Sequence, residues 1–501
     1  MLGAAKFSGK TRNGWSIGVL ESITAKEYAG ISNNGDRREE LIEPLTNYFV
    51  GRLQKDFNER NSFVGGIFTA TNRGDLPENM DFLHKSAYSG GLDFKHQWKD
   101  RAWYTAGNLL MSNVSGSERA ITNTQKDITR LYQRIDATYT EVDATRTSLM
   151  GHGGNIQIGK ARGNLNFESG VTWRSPGLEL NDVGFLRRVD YVTHYAWAGY
   201  RITKPFSVFR SARFNYNHWN SWDFGGAHNE MKWNVNSYAQ FKNYWYIGSG
   251  LNIRPKLYSN TALRGGPKLR LPDNVSCWFY VDSDNRKKFR YGFEVFFSDG
   301  EDKAYDIEEY YTYFIYQPIN ALKISLEPSY QVNRDKLQFV ENIRTDSGIR
   351  YLNAEIEQRT LSASLRFNYT INPNLTIQYW GQPFISRGRY SAFKHIVDPR
   401  AGRFEDRFHA YGLNEIRYEE GNKTYVVDEG ANGTVDYSFS DPDFSFVSSV
   451  PIWYYDGNIF RVPNCSWGGH RGSPDPGIPV ITCSLPWTGI FWEPSQGISF
   501  W

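Results

Sequence analysis

The chain has 501 residues, 40% hydrophobic and 16% aromatic, with a mean hydropathy of −0.58. Disordered chains are poor in rings, and soluble enzymes are richer in aliphatic core residues, so the composition fits neither. The net charge of +3 is too balanced for a nucleic-acid binder, and Cys277, Cys465 and Cys483 show no zinc-ligand spacing.

Many rings on a polar chain suit a wall with one face to lipid and the other to water, with aromatic girdles at both interfaces. No run of about 18 apolar residues occurs, so no membrane-spanning helix is expected. The first residues, MLGAAKFSGKTRNGWSIG, contain no apolar signal-peptide core. The chain is therefore expected to begin inside a longer gene.

Period-two alternation predicts strands from the start. Thr11–Gly14 reads as a tight turn before Trp15, Ile17 and Val19. Asn33-Asn34-Gly35-Asp36 resembles a calcium-loop fragment but lacks the rest of the twelve-residue pattern. Glu118–Ile135 places Ile121, Ile128, Leu131, Tyr132 and Ile135 at helix-like spacing, which predicts a short helix in an external or plugging loop. Gly151–Asn155 (GHGGN) precedes a strand pattern rather than a helix, so it reads as a loop-to-strand transition and not a phosphate cradle.

Further on, Ala212, Phe214 and Tyr216 alternate with Ser211, Arg213, Asn215 and Asn217. Trp245, Ile247, Ser249, Leu251 and Ile253 follow a turn at Lys242-Asn243. Phe289, Tyr291, Phe293, Val295 and Phe297 alternate with Arg290, Gly292 and Glu294, and Leu322, Ile324 and Leu326 follow the turn Gln317–Asn320. The clearest hairpin runs from Leu361 to Ile371, turns at Asn372-Pro373-Asn374 and resumes with Leu375, Ile377 and Tyr379. Short connections (Thr203–Pro205, Gln317–Asn320, Asn372–Asn374) contrast with long charged ones (Ser115–Met150, Ser175–Val189, Pro255–Asn274, Lys394–Asp436). Bacterial barrels show short turns on one rim and long loops on the other. A soluble sandwich or propeller would alternate too, but no repeat of about 40–50 residues occurs.

No HExxH or P-loop is present in the sequence. The histidines are scattered without metal-ligand spacing. Carboxylates cluster at Glu301, Asp302, Asp306, Glu308 and Glu309, and at Asp398, Glu405 and Asp406. Held at the right separation such pairs hydrolyse glycosides, but solvated loop charge is the plainer reading. No catalytic, cofactor-binding or metal residue is assigned.

Four stretches together resemble an uncharacterised outer-membrane β-barrel family of Gram-negative bacteria. They are LGAAKFSGKTRNGWSIGVLESITAKE near the start, VDATRTSLMGHGG at Val142–Gly154, SPGLELNDVGFLRR at Ser175–Arg188 and GTVDYSFSDPDFSF at Gly433–Phe446. The resemblance implies a domain of unknown function, often behind a family-nine-type carbohydrate-binding module. That module is absent from this chain, and through it carbohydrate would be a partner.

From Ser449 alternation stops and prolines crowd in. Codons read one base out of frame permit FRSNLVLRWEYIPGSELFLGWSQ from Ser448 and DILGTFPGNIFL from Gly489, which look like closing strands. A base lost near Val447–Ser449 is the expectation.

The sequence thus predicts an all-β fold: a large antiparallel transmembrane β-barrel, on the order of 14–20 strands, incomplete at both ends. Residues 1–448 form the barrel domain and 449–501 a frameshifted, non-native tail. The expected location is the cell outer membrane, with lipid as partner and no nucleic acid. The expected role is a channel, receptor or membrane anchor of unknown substrate, with Arg213, Arg290, Glu294 and Arg366 as lumen charges. The alternatives are a carbohydrate-binding or carbohydrate-active surface protein and a soluble β-rich adhesin.

Overall fold

A computed structural model describes residues 1–33, 36–373, 375–448, 451–455 and 458–460. The chain runs as an antiparallel meander in which each wall strand bonds to the next. Gly3–Lys10 pairs with Trp15–Thr24, which pairs with Thr46–Phe57. Pairing continues through Ser62–Arg73, His84–Trp98, Trp103–Gly116, Ser148–Lys160 and Leu165–Arg174. It then passes through Tyr191–Ile202, Phe209–Trp222, His228–Phe241, Tyr246–Ser259 and Asn274–Asp282. Phe289–Gly300, Tyr305–Ile319, Leu322–Thr345 and Gly348–Asn372 follow. Gly348–Asn372 bonds along its length to Leu375–Gly381 and to Phe384–Ile396. These two are one strand interrupted at Gln382-Pro383, where proline supplies no donor. Among the described residues no pairing joins Gly3–Lys10 to the far end, so these strands form an open wall.

The rims differ as expected. One rim carries the connections 11–14, 58–61, 99–102, 161–164, 203–208, 242–245 and 283–288. Every long connection leaves the opposite rim: 25–45, 74–83, 117–147, 175–190, 260–273 and 397–443. Several expected boundaries move: Ser115 lies inside Trp103–Gly116, Met150 inside Ser148–Lys160, Asn274 opens Asn274–Asp282, and Gln317 to Ile319 end Tyr305–Ile319. Pro255 lies inside Tyr246–Ser259 and Lys394 inside Phe384–Ile396, because hydrogen-bonded pairing carries both strands past the membrane-length pattern.

The apolar face is on the outside. Phe214, Tyr216, Leu251, Ile253, Phe293 and Phe297 are all exposed, from 37% for Leu251 to 51% for Phe214. Their polar neighbours in sequence point the other way and bond to one another, as Asn217 does to Asn234 and Asn252 to Ser276. A soluble sandwich buries its apolar face, so this inversion removes the soluble reading. Rings gather near the short-turn rim. Trp98 lies 6.4 Å from Trp103, Trp103 5.3 Å from Phe167, Phe209 4.9 Å from Phe241 and Trp245 5.7 Å from Tyr291. This is an interfacial aromatic belt.

Crossing a bilayer takes about 9–11 residues per strand. Leu322–Thr345 has 24 residues and Gly348–Asn372 has 25. Their ends at the long-loop rim, with Phe384–Ile396, carry an apolar core of Leu352, Ala354, Phe393, Val427, Tyr437 and Phe439. The sheet Ile416–Glu419, Thr424–Val427 and Tyr437–Ser440 closes it.

Two other expectations change. The helix, α1, covers Glu118–Lys126 and stops there; Asp127 is extended and Leu131 sits at φ 53°, so Ile128 and Ile135 are exposed. GHGGN lies wholly inside the strand Ser148–Lys160. Asn33 pairs with Asp36 in a hairpin, and the intervening Asn34-Gly35 lie outside the described residues. Of the tail expected to be frameshifted, Pro451–Tyr455 pairs beside Leu375–Gly381 and Asn458–Phe460 beside that strand. The rest of 449–501 lies outside the described residues.

Candidate functional site

The site is built from two loops of the long-loop rim that fold against the polar face of the wall. The first, 117–147, opens with α1. Ser117 caps it, its Oγ accepting from Ala120 N at 3.0 Å. Ile121 and Tyr132 then bury the polar-face residues Ala87, Val114 and Leu149. These small apolar residues depart from the polar pattern because the loop covers them.

The second loop, 175–190, crosses the same face one step further round. Gly151 makes the crossing possible: a Cβ there would lie 2.0 Å from Leu178 N and 2.2 Å from Gly177 C. Gly177 is equally constrained, since its Cβ would lie 2.2 Å from Met150 O. Ser175 N donates to His152 O at 2.8 Å, and Ser175 Oγ accepts from His152 N at 2.7 Å. Glu179 N donates to Ser112 Oγ at 2.9 Å. The stretches Val142–Gly154 and Ser175–Arg188, singled out separately in the sequence, thus meet at a glycine crossing.

Ion pairs fasten the loops to each other and to the wall. Arg130 meets Glu179 at 2.6 Å and also donates to Leu178 O. Arg134 and Tyr139 both donate to Asp190, at 3.1 and 2.6 Å, and Phe224 N donates to the other Asp190 oxygen at 3.1 Å. Asp182 takes Arg73 at 2.7 Å and His84 Nδ1 at 2.9 Å, while His84 Nε2 reaches Thr124 of α1 at 2.7 Å. Lys268 bonds Asp223 and Asn229, and Asp136 receives Lys268 N and Arg400.

Burial sets the charge states. It raises Asp190, although Tyr139 and Arg134 oppose it. Burial also acts to raise Asp182, but hydrogen bonds and charge from His84 and Arg73 outweigh it and hold the carboxyl below its usual range. Beside the loops a cleft of ≈ 830 Å³ is lined by Tyr132, Tyr139, Arg146, His152, Pro176 and Phe224.

The four charges expected in the lumen all sit on the polar face. Arg213 lies 5.6 Å from the Trp197 ring and donates to Asn215 at 2.8 Å. Arg290 donates to Gln317 at 3.1 Å, and Arg366 lies 5.9 Å from the Trp380 ring. Glu294 stands between Tyr280 and Tyr311 in register. The carboxylate clusters carry arginine. Glu301 holds the buried Arg407 at 3.0 Å, and Asp306 and Glu308 share Arg334. Among the described residues no three His, Cys, Asp or Glu side chains gather as a metal site.

Sequence reasoning missed Arg130, Arg134, Glu179, Asp182 and Asp190. Their sole signal is loop charge, which looks the same whether solvated or buried.

An antiparallel wall with its apolar face outward, an aromatic belt and unequal rims defines an outer-membrane-type β-barrel protein. Residues 1–412 match the family described as "Domain of unknown function (DUF5916)", and the chain belongs to that family. No curated protein matches the chain. Among solved structures it is similar to the FrpB iron transporter of Neisseria meningitidis (F5-1 variant), at 10% identity over 78% of this chain and 74% of that one, with TM-score 0.44. It is also similar to Pseudomonas aeruginosa OpdK with vanillate, at 12% identity over 77% and 96%, with TM-score 0.36. At these values neither likeness bears on what this barrel handles.

Proposed function

We propose that the protein is an outer-membrane conduit for polar solutes whose outer mouth is narrowed by the loops 117–147 and 175–190. The observation that supports this reading is the packing of both loops on the polar face, fastened by Arg130–Glu179 and Arg134–Asp190. Polar, hydrogen-bonded residues line the path, and lipid-facing residues play no part in it. The loops would open by breaking a few discrete ion pairs, which suits a two-state gate.

The test is solute-driven swelling of liposomes carrying the refolded full chain, with heat-modifiable gel migration as the control for folding. The wild type should admit arabinose slowly, and Arg130→Ala should admit it several-fold faster. Equal impermeability of folded wild type and variant would overturn the conduit.

A receptor or anchor is the second reading. It draws on the apolar core at the ends of Leu322–Thr345 and Gly348–Asn372, which stands beyond the membrane-length part of the wall.

A further inference from the structure

The connections of the short-turn rim carry one sign of charge. Arg12, Arg60, Arg162, Lys204 and Lys242 each stand in a separate connection. Lys99 and Arg101 share another, and Arg286, Lys287 and Lys288 share the one before Phe289. Against these ten basic residues the same connections hold three acids, Glu59, Asp100 and Asp284. All ten are exposed. Among the described residues, Arg286 alone of the ten is in an ion pair, with Asp284 at 2.8 Å.

The opposite rim has the reverse balance. Its longest connection, 397–443, carries eleven acidic residues against five basic ones. Water around a loop favours charge of either sign, so solvation accounts for neither bias.

Depth fixes what the cations meet. Lys99 follows Trp98 directly, Arg101 lies two residues before Trp103 and Lys242 three before Trp245, all rings of the aromatic belt. Arg210 and Arg286 lie 4.6 and 3.2 Å from the Tyr244 ring, and Lys55 lies 5.3 Å from that of Trp15. A strand residue rises about 3.3 Å, which puts these charges within a few ångströms of rings that mark the headgroup level.

We infer that the short-turn rim is a docking surface for anionic phospholipid headgroups of the leaflet it faces. Bacterial barrels turn their short connections to the periplasm, so that leaflet is the periplasmic one. Phosphodiester oxygens accept hydrogen bonds from guanidinium and ammonium groups, and a negative lipid surface attracts each nearby Lys or Arg. The sign repeats in each of these connections from 11–14 to 283–288. A docked protein meets one stretch of a rim, whereas headgroups meet all of it. The inference stands whether or not the barrel conducts.

The test is electron spin resonance of chain-labelled phosphatidylglycerol and phosphatidylcholine in phosphatidylcholine vesicles holding the refolded full chain. Phosphatidylglycerol should be held at the protein at least about twofold more strongly, and salt at about 1 M, with a screening length of about 3 Å, should erase the preference. The six changes Arg12→Gln, Arg60→Gln, Arg162→Gln, Lys204→Gln, Lys287→Gln and Lys288→Gln should erase it at low salt, with heat-modifiable migration retained. If that variant does not fold, Lys287→Gln with Lys288→Gln takes its place and should lower the preference in part. Arg403→Gln with Arg417→Gln, on the opposite rim, should leave it unchanged. A preference that survives the six changes, or one that the opposite-rim changes lower equally, would overturn the inference. So would its loss to inorganic phosphate but not to chloride of equal ionic strength, which would make the rim a site for free phosphate. Equal retention of the two lipids, with polyglutamate bound by the wild type and not by the variant, would overturn it in favour of an acidic protein.

Discussion

Arg130 and Glu179 face each other at 2.6 Å with side chains 1% and 5% exposed, and they come from two different loops. A buried pair gives little net stability, but removing one partner leaves the other charged and dry. Arg130→Ala should therefore cost about 3–5 kcal/mol locally, whereas the double change Arg130→Met with Glu179→Leu should cost far less. Hydrogen exchange in 127–135 and 175–190 reads both. Equal protection in wild type and Arg130→Ala would show that the pair does not hold the loops.

The crossing of Gly151 and Gly177 predicts a steric effect of a different kind. The atoms met by a Cβ at Gly151 are backbone, which cannot rotate aside. Gly151→Ala should displace 175–178 at a cost of about 1–3 kcal/mol, as overpacking does. Faster exchange should appear at Leu178 and Glu179 amides, with the strand Trp103–Gly116 unchanged.

Asp182 predicts a pH dependence. Its folded pKa is depressed, so its contribution is complete above the ordinary carboxylate range and is lost as the pH falls through and below that range. The partners that lose their anchor are Arg73 and His84, and through His84 also Thr124 of α1. Limited proteolysis of 175–190 should accelerate in acid for the wild type. Asp182→Asn should be cut quickly already at neutral pH and show a flatter profile. An identical acid profile in Asp182→Asn would place the dependence elsewhere.

The two faces of one strand predict opposite tolerances. Phe293 is 44% exposed on the outer face, while Glu294 lies on the polar face. Phe293→Arg should destabilise the chain in liposomes by up to about 2–4 kcal/mol, the range for arginine facing lipid near the midplane. Glu294→Gln should change stability far less. Urea titration of the refolded variants measures both, and equal effects would contradict the assignment of faces.

Much of this protein was legible from its residues in order. Alternation such as Leu361 to Ile371, short turns such as Asn372–Asn374, and the unequal connections follow from strand geometry, in which neighbouring side chains must take opposite faces. These determined the strand-rich wall and which residues share a face. Which face meets lipid had only polarity behind it, and the exposure of Phe214 and Phe293 decided it. The loops were different. Helical spacing carried through Ile135, yet α1 ends at Lys126, because Tyr132 is drawn to the wall by contacts remote in sequence. Likewise Gly151 looked like a loop residue until Leu178 was seen to occupy its side-chain space. Such pairings join residues from different loops, and no local periodicity records them. Tertiary structure alone therefore decided that the loop read as external or plugging, with 175–190 beside it, closes over the polar face through Arg130, Glu179, Asp182 and Asp190.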